Sequence, residues 1–219
     1  MTTSGVTAWS MTAREHIVAA LRDARVIGSG AEPTADELDD SLVRFNGLLK
    51  SWSAKANLFR NAELSVTTIG GTASVTLNAA VRDVSAVRHV LSATSHRPLS
   101  PWNRTEYFSL PNRTTAGNPS AYYLDRQRDA AVLYLWPVPA TAQTLKLDYS
   151  RKAETITDAS ETVDIPEEWQ EAVWKNLAVE CAEMFGATLS PRYLAKAEML
   201  YQQFLDSDRP DSYYFEAAD

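Results

Sequence analysis

The chain has 219 residues, 45% of them hydrophobic, and a formal net charge of −7 from 21 basic and 28 acidic side chains. That length gives one medium domain or two small ones with a sizeable core, and the acidic balance speaks against wrapping duplex DNA, which requires Lys and Arg to neutralise phosphates. The single cysteine, Cys181, excludes an intramolecular disulfide framework and suits assembly in a reducing cytoplasm; no run of about 18 apolar residues offers a membrane span, and residues 1–10 lack the features of a secretory signal.

Two helices are expected first. Thr12-Ala13-Arg14-Glu15 is a capping box: the hydroxyl accepts from the Glu15 N–H and the carboxylate reaches back to Thr12. Ile17, Leu21, Ala24 and Ile27 follow at helical spacing, with Gly28 and Gly30 as the expected stop. Thr34-Ala35-Asp36-Glu37 is a second capping box. Leu38, Leu42, Phe45, Leu49 and Trp52 then step by four and three, which makes one stripe to bury.

From Glu63 the apolar period falls to two. Residues 64–69 and 72–77 flank Gly70-Gly71, a hairpin signal because a two-residue primed turn needs positive φ. Further strands are expected over 86–91, 120–124, 132–136 and 144–149. Residues 96–119, rich in Pro, Asn, Arg and Thr, read as a long loop with one helical turn near 105–108. Helical spacing returns at Pro166, with Trp169, Val173, Leu177, Cys181 and Met184 as the buried stripe and Gly186 as its stop. Ser190-Pro191 opens the last helix, carrying Leu194, Ala197, Tyr201, Phe204 and Leu205.

This order predicts an α+β fold. The N- and C-terminal helix pairs, over 11–60 and 160–206, form a four-helix bundle. An antiparallel β domain over 61–159 is inserted in it, and 207–219 is an extended C-terminal tail.

Catalytic chemistry is hard to assemble from these residues. His16, His89 and His96 show no His-x-x-x-His spacing, and no Cys-x-x-Cys, Gly-x-Ser-x-Gly or phosphate loop is present, so no metal, cofactor or catalytic residue is assigned. The acidic groups Glu167-Glu168, Glu180/Glu183 and Asp36-Glu37-Asp39-Asp40 mostly fall in first turns of helices, where the macrodipole accounts for them without a glycosidase pair. Trp102, Trp136 and Tyr122-Tyr123 offer a sugar-binding platform as an alternative; the favoured account puts Trp136 and one tyrosine in the β core. Cys181 lies on an apolar helix face, as a small buried side chain.

Four stretches carry a resemblance to a known family. They are Thr12-Ala13-Arg14-Glu15 with Ile27-Gly28, Leu48-Leu49-Lys50-Ser51-Trp52, Leu133-Tyr134-Leu135-Trp136-Pro137 after Pro111-Asn112-Arg113, and Asp164-Ile165-Pro166-Glu167-Glu168-Trp169. In this order the chain resembles the head–tail adaptors of tailed bacteriophages, the tail accessory or tail tubular proteins of short-tailed phages. The resemblance implies a non-enzymatic virion protein of the tail or neck, assembled in the host bacterial cytoplasm. It implies a ring, a dodecamer, docked under the portal protein and joined to the tail nozzle or hub, with tail fibres as further partners. DNA would pass through the channel without sequence-specific binding, and no membrane is involved. The alternatives are a head-completion or stopper protein of a long-tailed phage and a β-domain module binding sugar or protein.

Two groups of interface residues are expected within that frame. Arg14, Arg22 and Arg25 are assigned to ion pairs between neighbouring subunits, opposite Asp36, Asp39 and Asp40. The tail residues Arg209, Tyr213, Tyr214 and Phe215 are assigned to the portal, because three adjacent aromatics on a tail held soluble by acids suit an interface anchor.

Overall fold

Among the 219 residues, the computed structural model describes 9–55 and 61–207. The fold is mixed α+β and divides into two compact units: residues 1–59 with 153–219, and residues 60–152.

The first unit is helical. Helix α1 (Ala13–Asp23) begins at the expected capping box, and its four leading N–H groups all have acceptors. Ala13 and Arg14 donate to the carbonyls of Glu161 and Ala159, at 2.9 and 2.7 Å, and Glu15 and His16 donate to Thr12. The helix ends earlier than the glycines at 28 and 30 suggest. Arg25 takes the left-handed position at φ 61°, and Val26 and Arg25 donate back to Leu21 and Arg22. This is a Schellman closure with arginine where glycine is usual. Tertiary packing supplies the reason: Val26 joins the core beside the fully buried Leu21.

Helix α2 (Ala35–Lys55) starts at the Thr34–Glu37 capping box and buries Phe45, Leu49 and Trp52, with Leu38 and Leu42 partly buried. A single 3₁₀ turn (Glu167–Trp169) leads into the next helix of this unit, Gln170–Met184, here α4 because one short helix of the second unit precedes it as α3 (Arg104–Phe108). Helix α4 buries Val173, Leu177 and Cys181 and is closed by Gly186 at φ 68°. Helix α5 (Pro191–Ser207) buries Ala197 and Phe204, whereas Leu194, expected in the stripe, is exposed. The core of this unit also holds small residues: Ala13, Ala20 and Ala24 at the first helix and Ala172, Ala178 and Ala182 of α4 are all buried in it. Asp23 ties three helices together, accepting from the Tyr193 hydroxyl at 2.8 Å and pairing with the Lys175 ammonium at 3.2 Å.

The chain re-enters this unit at Ala153. The cause is polar. The Asn46 side chain exchanges two 2.9 Å hydrogen bonds with the backbone of Ile156, and the Lys50 ammonium donates to the Ala153 carbonyl. Apolar periodicity does not register either contact.

The second unit holds two four-stranded sheets. The strands are β1 (Asn61–Thr67), β2 (Ser74–Thr76), β3 (Val81–Val90), β4 (His96–Pro98), β5 (Ser100–Trp102), β6 (Ala116–Gly117), β7 (Ala121–Asp125), β8 (Val132–Trp136), β9 (Val138–Pro139) and β10 (Thr144–Arg151). One sheet runs β1-β10-β3-β4 and the other β2-β8-β7-β5. Their inner faces share one core of Val81, Val87, Leu99, Leu133, Leu135, Leu145 and Leu147, which follows from the alternation of side chains along each strand. The sheets are not wholly antiparallel as expected: β5 pairs with β7, and β6 with β9, in parallel. Residues 96–119 therefore hold three short strands and α3 rather than one loop.

The expected hairpin at Gly70-Gly71 does not form. Strand β1 pairs with β10 and β2 with β8, so the glycines turn the chain from one sheet to the other. Thr72 donates to Ile69 at 3.1 Å, and only the second glycine has positive φ, at 78°. That is a type II turn, whose twist opposes that of a two-residue hairpin.

Candidate functional site

His16, His89 and Cys181 are taken up inside the fold, whereas His96 is half-buried at the start of β4. His16 is fully buried against Phe45. Its Nδ1–H donates to the Thr12 carbonyl at 3.0 Å, which leaves Nε2 bare and buried without a partner. Burial holds its pKa below the usual imidazole value, against a smaller opposing effect of the Thr12 bond and Glu15. His89 is likewise pushed down, by burial and then by Arg97. The Cys181 thiol is buried beside the Ser41 hydroxyl at 3.7 Å, and burial pushes it up, away from the thiolate a nucleophile needs. Among the described residues no group of three or more His, Cys, Asp or Glu is placed to hold a metal ion, and no helix is long and apolar enough to cross a membrane.

The expected interface residues fall in different places. Arg14 pairs with Glu32 at 2.8 Å; Arg22 approaches the same carboxylate at 4.0 Å and donates to the Ala31 carbonyl. Arg25 serves the α1 closure. Asp36, Asp39 and Asp40 are exposed along α2, and the subunit does not bring the three arginines to them. Arg209, Tyr213, Tyr214 and Phe215 lie outside the described residues.

Trp136 is not in the β core. Along β8 it alternates with Leu133 and Leu135 and shares the opposite face with Tyr134. That face carries two aromatic groups: Tyr123 stacks on Tyr134 at 5.9 Å with Tyr107 of α3 against both, and Trp102 meets Trp136 at 5.3 Å. The Trp136 indole N–H is already used, donating to the Asn112 carbonyl. Helix α3 is fixed there by the Asn103–Glu106 capping box, and the exposed Phe108 ring lies under the guanidinium groups of Arg104 and Arg113, at 4.9 and 5.2 Å. The tyrosines of this face close against α3 rather than forming an open sugar platform.

The net charge of −7 conceals a division that whole-chain composition misses. Residues 60–152 carry 11 basic and six acidic side chains, nine of the 11 being arginine. The helical unit and termini carry ten basic and 22 acidic ones. The β unit is thus +5 and the rest −12, so the exclusion drawn from overall acidity holds for the helical unit alone. Summing charge by region would have revealed this from sequence.

A search of curated proteins returns no match. The model of the family described as SU10 adaptor protein matches residues 11–215, spanning both helical arms, the inserted strands and most of the C-terminal segment. With a match over nearly its whole length, this chain belongs to the SU10 adaptor protein family, a family of structural head–tail adaptors of phage virions.

Proposed function

We propose that the chain forms a ring, a dodecamer, that docks beneath the portal and passes the DNA channel to the tail nozzle. The observation that carries this reading is the family match across 11–215, which includes both helical arms and the β insertion together. In this reading α1, α2, α4 and α5 are the four helices of a bundle and form the body of each subunit, with the β unit as its insertion. The protein is catalytically silent: His16, His89 and Cys181 are buried in packing roles. The C-terminal segment, with Arg209, Tyr213, Tyr214 and Phe215, docks on the portal. Each copy binds weakly, since ordering a segment costs entropy, and twelve copies compensate through effective concentration.

Deletion of 207–219 tests the proposal. The truncated subunit should fold and fail to cap portal-bearing heads, whereas the intact chain should add a ring visible by electron microscopy. Capping by the truncated chain removes the tail from the interface. An intact chain that never binds portal-bearing heads overturns the adaptor role.

A further inference from the structure

Helix α2 has two stripes. Leu38, Leu42, Phe45, Leu49 and Trp52 make the buried one. Asp36, Asp40, Val43 and Gly47 repeat the same four-three-four spacing on the opposite side, with Asp39 beside them, and all five are exposed. A helix face directed at water has no use for the two apolar members of this stripe. Val43 is 71% exposed. Gly47 sits in mid-helix, where glycine costs helical stability relative to other residues, and a Cβ there would meet nothing within 4 Å. Packing within the subunit therefore does not require glycine at 47; a backbone or side chain arriving from outside would. The stripe borders an open groove of about 610 Å³, lined by Asp40, Val43, Arg44, Gly47, Glu180 and Met184.

We infer that this outer stripe of α2 receives the β unit of a second copy of the chain, an inference that rests on the ring proposed above. Charge selects the occupant. The helical unit carries −12 and the β unit +5. A two-fold contact that set helical unit on helical unit would oppose like charges, whereas a heterologous contact sets acid on base, and heterologous contacts repeat into closed rings. Arg14 and Arg22 of α1 already meet Glu32, and the groove itself holds one cation, Arg44, alongside Asp40 and Glu180, so further cations for Asp36 and Asp39 come from elsewhere. In the β unit, Arg97 and Arg113 are exposed with no carboxylate partner among the described residues, and Arg128 is exposed with only the adjacent Asp129 among them. An aspartate stripe with an apolar centre and a glycine for close approach suits such a basic surface.

Sedimentation velocity on the full-length chain tests this. Wild type should sediment as a ring, with association weakening as salt rises. Gly47→Gln should melt higher than wild type, because a side chain favours the helix, and yet lose ring formation by tenfold or more in concentration. Asp36→Lys with Asp40→Lys should do the same, as should Arg97→Glu with Arg113→Glu and Arg128→Glu, and the two charge reversals combined should restore the ring. Rings that persist in the folded α2 variants overturn the surface while leaving the ring intact. Loss with the α2 variants but not with the arginine variants puts a different occupant on α2 and overturns the assignment to the β unit. A wild-type chain that stays monomeric at every concentration overturns this contact as one that holds copies together by itself, and the ring is then judged separately on portal-bearing heads.

Discussion

Asn46 and His16 are two polar residues on buried helix faces that act as structural fasteners. The Asn46 amide behaves as one rung of a ladder, giving and receiving one hydrogen bond with Ile156 and adding a third to the Leu42 carbonyl. Asn46→Ala would leave the Ile156 N–H and C=O half-buried without partners, so it should cost about 1–3 kcal/mol in urea unfolding. His16 predicts a pH dependence. Its folded pKa lies below the ordinary value of about 6.5, so the unfolded chain takes up the proton first. Stability is then complete above about pH 6.5 and falls as pH drops below it, until the folded imidazole also protonates. His89 adds a contribution of the same sign. His16→Gln should reduce the acid-side slope of unfolding free energy by up to about one proton; an unchanged slope would show that His16 titrates normally.

At the level of elements, the turn at 69–72 decides the topology of the β unit. Gly70 packs so closely that a Cβ would lie 3.0 Å from the Ala140 carbonyl oxygen and 3.1 Å from the Thr141 Cα, both backbone atoms. Gly70→Ala should therefore cost about 1–3 kcal/mol through overpacking, with unfolding by denaturant as the measurement. A solvent-directed hairpin turn would tolerate the same change. The helices were legible in the sequence at their starts, where capping boxes are local and chemical. Their ends were less so: α1 stops at an arginine because Val26 is drawn into the core, a contact between residues that no three-residue motif reports.

Across the whole molecule, charge is the feature with the longest reach. The acidic helical unit opposes phosphate, and in the proposed ring the surplus cations of the β unit are taken up by neighbouring subunits. The intact chain should accordingly bind duplex DNA more weakly than about 10⁻⁴ M at physiological salt, the weak end of ordinary non-specific affinity, as read by fluorescence anisotropy. Tight, steeply salt-dependent binding would mean that the β-unit arginines remain free to meet phosphates.

Sequence alone determined the helix starts, the apolar stripe of α2 and the change from helical period to two and back. Each of these depends on residues within a turn or two of one another. It also carried the family resemblance, because the order of elements is a property of the chain. Only tertiary structure decided which strands pair, that two pairs run parallel, that Trp136 faces away from the core, and that Asn46 and Lys50 fasten the segment after Arg151. Those outcomes rest on contacts between residues tens of positions apart, such as Asn46 with Ile156 and Leu64 with Leu147. There the competing local patterns are close in energy, and packing chooses between them.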